Sequence, residues 1–126
     1  MSLNNEEKLV IDGELPNLNE IIETSKMHWA KYANEKKYLT ENIALLAKSK
    51  IKKKYEKVNL TFVWYCKNKR KDKDNIIAGQ KFIIDALVEA EIIKNDGWNE
   101  IGNIIHYFEI DKKNPRVEII IEEVGE

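Results

Sequence analysis

Val58-Asn-Leu-Thr-Phe-Val-Trp-Tyr-Cys66 decides the fold. Val58, Leu60, Phe62, Trp64 and Cys66 alternate with Asn59, Thr61, Val63 and Tyr65, which predicts a strand with one fully apolar face. Such a face must be covered, and helices lie on both sides of it in the chain. Upstream, residues 18 to 50 contain no Pro or Gly, and Ile21, Ile22, Trp29, Tyr32, Ala33, Ile43, Leu46 and Ala47 keep approximate helical spacing. This predicts one long helix, or two joined near Glu35-Lys-Lys-Tyr38, closed by the lysine run at 48–57. Before it, residues 8–15 read as a short strand with Leu9, Ile11 and Leu15 on one face. Pro16 and Asn17 stop that strand, and Asn17 or Asn19 can cap the helix after it. Downstream come a polar loop from Lys67 to Lys73, a second helix at about 74–91, and a turn at Asn95-Asp-Gly-Trp98. Two strands follow at about 101–110 and 116–123, joined by Asp111-Lys-Lys-Asn-Pro115. The order β-α-β-α-β-β predicts an α+β fold, a small mixed sheet with helices packed on one face.

A chain of 126 residues can bury one core and is expected to be a single domain spanning 1–126. The lone Cys66 excludes an internal disulfide and fits a reducing compartment. No apolar run approaches the roughly 20 residues that span a bilayer, and Met1-Ser-Leu-Asn-Asn-Glu-Glu lacks the shape of a signal peptide. A cytoplasmic protein with no membrane partner is expected. The net charge of −1 conceals a strong asymmetry. Residues 26–81 hold sixteen Lys/Arg against five Asp/Glu, whereas residues 1–25 hold one against six and residues 82–126 four against eleven. A basic middle between acidic flanks suits a polyanionic partner, although lysines on a solvated helix give the same count.

Within that basic segment stands Arg70-Lys-Asp-Lys-Asp-Asn75, followed by Lys81. On an unbroken helix from Asp74, at about 100° per residue, Ile76, Ile83, Leu87 and Ala90 form the buried stripe with Ile77 and Ile84 beside them. Lys81 and Asp85 fall opposite, within about 20° of Asp74. Each acidic residue also has a plain structural use: Asp74 as a helix cap, Lys81 and Asp85 as an i,i+4 pair, Asp96-Gly97 as a turn. Asp72, in a basic loop, has the weakest such use. Together, Asp72 and Asp74 could turn towards one hard cation, with Asp96 as a third ligand, and Lys81 could neutralise charge on a phosphate. Helix N–H groups at 75–77 would add positive potential. One Cys and two His are too few for zinc, and no Gly-rich phosphate loop or nucleophile–base spacing is present. His28 and His106 are expected to be structural or surface residues. Trp29, Trp64 and Trp98 are expected in the core, with base stacking by Trp98 as the lesser alternative.

Asp72-x-Asp74-Asn75, Lys81-x-x-x-Asp85-Ala-Leu87 and Asn95-Asp96 resemble the RusA family of Holliday-junction resolvases, above all its phage- and prophage-borne branch, in which Asp-Gly-Trp follows the acidic turn. Leu15-Pro-Asn-Leu-Asn-Glu20 is similar to that branch too, and the likeness covers about residues 10–123. The resemblance implies a homodimeric, Mg2+-dependent endodeoxyribonuclease (Mn2+ being an acceptable substitute). Such an enzyme cuts four-way DNA by paired phosphodiester hydrolysis in recombination and repair. It implies catalytic and metal roles for Asp72, Asp74 and Asp96 and a catalytic role for Lys81, with no small-molecule cofactor. A branched-DNA-binding dimer of weak or no activity is the alternative. Lys81 stands seven residues beyond Asp74 rather than the commoner four, and Asn95 replaces an Asp found in many relatives. Lys67, Lys69, Arg70, Lys71 and Lys73, beside the acidic residues, are the candidate DNA contacts, with Lys52, Lys53 and Lys54 behind them.

Overall fold

A computed structural model describes residues 6–15 and 29–125 of the protein. Its elements are β1 (Glu6–Asp12), α1 (Trp29–Lys50), β2 (Val58–Cys66), α2 (Lys73–Ile77), α3 (Gln80–Glu89), β3 (Ile101–Ile110) and β4 (Arg116–Glu123). They form one four-stranded sheet in the order β1-β4-β2-β3. β1 and β2 both run antiparallel to β4, while β2 and β3 are parallel, so α2 and α3 make the crossover between two parallel neighbours. The expected α+β class, with a small mixed sheet, holds.

The alternation in β2 does what its sequence requires. Val58, Leu60, Phe62 and Trp64 are buried, and in register with them lie Val117, Ile119 and Ile121 of β4 and Leu9 and Ile11 of β1. Ile43, Ala44 and Ala47 of α1 and Phe82, Ile83, Ile84, Ala86 and Leu87 of α3 close this face. Ile76 and Ile77 are only half-buried, so the buried stripe belongs to α3. Ala33, which its spacing put among the apolar helical residues, is exposed. The expectations for Pro16, Asn17, Asn19, Ile21, Ile22 and His28, and for the side chains of Trp29 and Tyr32, lie outside the described residues. No helix among the described residues is long and apolar enough to cross a membrane.

Two elements differ from the sequence reading, β1 and the helix expected at 74–91. β1 begins at Glu6 and ends at Asp12, because Gly13 takes a positive φ of 86° and its N–H turns to the Pro115 carbonyl at 2.9 Å. Leu15 therefore leaves the strand and packs against the core from outside it. Of the two alternatives at Glu35–Tyr38, α1 takes the unbroken one. The expected helix 74–91 is two helices, and the break between them reshapes the site.

β3 carries an extra residue against β2: Val58 pairs with Ile101, but Leu60 pairs with Ile104. Asn59 Oδ1 fills this bulge by accepting the Asn103 N–H at 2.7 Å. A Cβ on Gly102 would meet that same oxygen at 2.4 Å. Gly102→Ala should therefore destabilise the protein by about 1–3 kcal/mol through overpacking, and by clearly less in an Asn59→Ala background. Denaturant midpoints of the four proteins of that cycle measure the coupling.

Candidate active site

β2 delivers the chain at Cys66 into the basic loop, and the crossover brings it back along α2 and α3. Asp72, not Asp74, sits at the cap position of α2, with an extended backbone (φ −72°, ψ 152°) and no side-chain cap bond. Its carbonyl accepts the N–H groups of Asn75 and Ile76 at 3.1 and 3.2 Å, so those donors are not open to an anion as expected. Asp74 Oδ1 accepts the Asn75 N–H at 3.0 Å as well. Both carboxylates stand on exposed residues.

α2 ends after five residues. Ala78 and Gly79 remain right-handed, but the bonds Gly79 N–H to Ile76, Lys81 N–H to Ala78 and Phe82 N–H to Gly79 all span three residues. The chain therefore passes from α2 to α3 through turns of 3₁₀ type. Close packing accompanies it: a Cβ on Gly79 would lie 3.2 Å from Leu15 Cβ and 3.3 Å from Trp64 Cη2. At about 120° rather than 100° per residue, a few such steps rotate Lys81 by roughly 60° relative to Asp74. That moves Lys81 from about 20° on one side of Asp74 to about 40° on the other, so the alignment expected of an unbroken helix is loosened.

Lys81 instead faces the turn before β3. Its Nζ lies 3.1 Å from Asp85 Oδ1 and 3.8 Å from Asp96 Oδ2. Lys36 of α1 approaches Asp85 from the other side at 4.0 Å. The hydrogen bond to Asp85, aided by the negative charges of Asp85 and Asp96, raises the Lys81 pKa, so this side chain is a fixed cation rather than a base. The i,i+4 pairing of Lys81 with Asp85 is as expected. Asp96 is set by Asn95, whose Oδ1 accepts the Asp96 N–H at 2.9 Å.

Two of the three candidate ligands, Asp72 and Asp96, border different cavities. Asp72 borders a cavity of about 480 Å³ with Lys69, Lys71, Lys73 and Phe108, at the C-terminal ends of β2 and β3. Lys81 and Asp96 border another, of about 310 Å³, with Ile101 and Ile104 at the start of β3. Among the described residues no group of three or more His, Cys, Asp or Glu could hold a metal ion. Asp72, Asp74 and Asp96 therefore do not gather at one point in the single chain, as the sequence reading expected them to.

The basic loop is partly tethered. Glu14 lies 3.4 Å from Lys71 Nζ and 3.9 Å from Lys67 Nζ, and accepts the Lys67 N–H at 3.1 Å. Lys73 Nζ sits 5.2 Å above the Phe108 ring. Lys69 and Arg70 have no carboxylate partner among the described residues and are the least encumbered cations of this loop. Cys66 lies behind this loop, and burial pushes its thiol pKa up, away from nucleophilic use.

Sequence reasoning missed a relay beneath α3. Trp64 Nε1 donates to His106 Nδ1 at 2.8 Å, which places the imidazole proton on Nε2, facing Gln80 Oε1 at 3.0 Å. The ring is stacked 5.0 Å from Phe62. This chain links β2, β3 and the residue beside Lys81. The apolar parity of Phe62 and Trp64 was its only sequence signal, since the partner across the strand is set by register. Burial lowers the His106 pKa from the ordinary 6.5. Below about pH 6.5 the unfolded chain takes up a proton that the folded chain refuses, so this stability is present above 6.5 and falls as the pH drops towards the lowered folded value. Thermal midpoints between pH 8 and 5 should fall in the wild type and fall less in His106→Asn. Trp64 is core, as expected, but Trp98 is not: it is 95% exposed.

None of the curated proteins matches the chain. The family described as endodeoxyribonuclease RusA does match, over residues 17–122, which takes in the basic loop, both crossover helices, the Asp96 turn and three of the four strands. A match of that extent makes the chain a member of the RusA endodeoxyribonuclease family.

Proposed function

We propose that the protein is an Mg2+-dependent, structure-specific endodeoxyribonuclease that resolves four-way DNA junctions as a cytoplasmic homodimer, in recombination and repair. The family match carries the reading, and the site supports it. Lys69 and Arg70 give phosphates a landing point, and Lys81 offers a cation held beside the Asp96 carboxylate. Asp72, Asp74 and Asp96 supply the acidic chemistry. Mg2+ commonly takes one or two protein carboxylates with water and phosphate oxygens, so one or two of these residues would hold it beside bound DNA, where it would polarise the phosphate. Shape rather than base contacts selects the substrate.

The sheet face turned away from the helices supports a second copy as partner. Ile105 and Tyr107 of β3 are 46% and 55% exposed there, in register with Thr61 and Val63 of β2. A twofold dimer meeting through one such self-complementary face would present two equivalent sites to two equivalent strands. A sedimentation measurement giving a monomer at micromolar concentration on junction DNA would remove the dimer.

The division of the carboxylates favours one other reading, a dimer that binds branched DNA with little or no turnover. Incubation with labelled junction and linear duplex separates the two. A nuclease cuts the junction in preference to the duplex with Mg2+ and stops with chelator; tight junction binding without incision in Mg2+ or Mn2+ selects the binding protein.

A further inference from the structure

We propose that Trp98 stacks on a nucleobase left unstacked at the branch point of the DNA, and that this contact discriminates branched from linear substrates. The inference rests on the nuclease reading and adds a specificity-determining residue to it. Trp98 is the most exposed large apolar side chain among the described residues. A firmly closed turn presents it: the Gly97 carbonyl accepts the N–H groups of Glu100 and Ile101 at 3.1 and 3.0 Å, and Val58 N–H donates to the Glu100 carbonyl at 2.9 Å. The indole therefore stands out from a scaffold bonded directly to the sheet.

Its surroundings identify the chemistry it would receive. Trp98 borders the 310 Å³ cavity, whose other walls include the apolar Ile84, Ile101 and Ile104 and the polar Gln80, Lys81 and Asp96. An aromatic plane beside an apolar wall takes the face of a base, and the Lys81 ammonium at the same cavity takes the adjoining phosphate. A single nucleotide carries both groups. In linear duplex each base face is already covered by its neighbours, so the indole has nothing to stack on. At a branch point the stack is interrupted.

The test measures binding in chelator, so that turnover plays no part, with a four-way junction and a linear duplex titrated against wild type, Trp98→Ala and Trp98→Phe. Trp98→Ala should weaken junction binding roughly 5- to 150-fold, the range for losing one base–aromatic stack. It should leave duplex binding within about twofold, since phosphate contacts dominate there. Trp98→Phe should keep most of the junction affinity. Junction binding should also quench indole emission in the wild type, and this quench should be lost in Trp98→Phe. Junction affinity unchanged in Trp98→Ala, with wild-type binding and cutting intact, overturns this inference alone. Equal losses on both DNAs, or a changed oligomeric state in Trp98→Ala, overturn it as well, the latter by assigning the indole to a protein contact. A folded wild type that binds no junction overturns the nuclease reading, and this inference with it.

Discussion

Asp74→Asn should abolish junction cutting while leaving junction binding intact, the largest effect expected of any single substitution. Asn keeps the size of the side chain and its Oδ1 can still accept the Asn75 N–H, as Asp74 does at 3.0 Å, so the start of α2 is preserved. The change removes one negative charge from an exposed residue at the edge of the basic loop. Removing partners that merely orient a metal ligand costs about 10–100-fold, so losing a carboxylate assigned to the cation itself should cost more than about 100-fold in rate. Binding without divalent ions should stay level or tighten, because a like charge beside the phosphates is gone. Gel mobility and cleavage on the same labelled junction report both. Cutting at the wild-type rate by Asp74→Asn removes this residue from the site.

Phe62→Ala should bring the largest loss of stability, about 3–5 kcal/mol, as for other fully buried aromatic residues. Phe62 is 0% exposed at the centre of the sheet. Its ring lies 5.6 Å from that of Trp64 and 5.0 Å from that of His106, both near parallel. Truncation removes the transfer free energy of the ring and leaves a hole that its rigid aromatic neighbours cannot readily fill. It also loosens the seat of His106, and hence the bond to Gln80 beside Lys81. Guanidinium unfolding should show a lower midpoint with an unchanged slope. A loss below about 1 kcal/mol would mean that the stack does not carry the core.

The strands were legible because their signal is local. A side chain in a strand alternates faces with a period of two, and β2, β3 and β4 announce their strand character within eight to ten residues. The break between α2 and α3 was not legible. Ala78 is a good helix former and a lone Gly is tolerated in a helix, so nothing nearby marks a change of winding. Gly79 is pressed against Trp64 and Leu15, residues distant in sequence. The same contrast governs the site. The residue types and order of Asp72, Asp74, Lys81 and Asp96 named the family, which the match over residues 17–122 bears out. Their relative positions depended on that winding and on the turn before β3: an ideal helix aligned Lys81 with Asp74 and Asp85, and the fold keeps the Asp85 pair and brings Asp96 to it. Trp98 was misplaced by its apolar character. Its position after Asp96-Gly97 in a turn was the better guide, since turns lie at the surface.

A supercoiled plasmid that extrudes a cruciform gives the most direct measurement of whether these residues make a junction-resolving nuclease. Incubated with the protein and Mg2+, the plasmid should be converted to full-length linear molecules, because two opposed strands are cut within one encounter, and strand mapping should place the incisions symmetrically across the branch. Accumulation of nicked circles alone would contradict paired incision by a dimer, and a plasmid left supercoiled while the protein remains bound would contradict the nuclease itself.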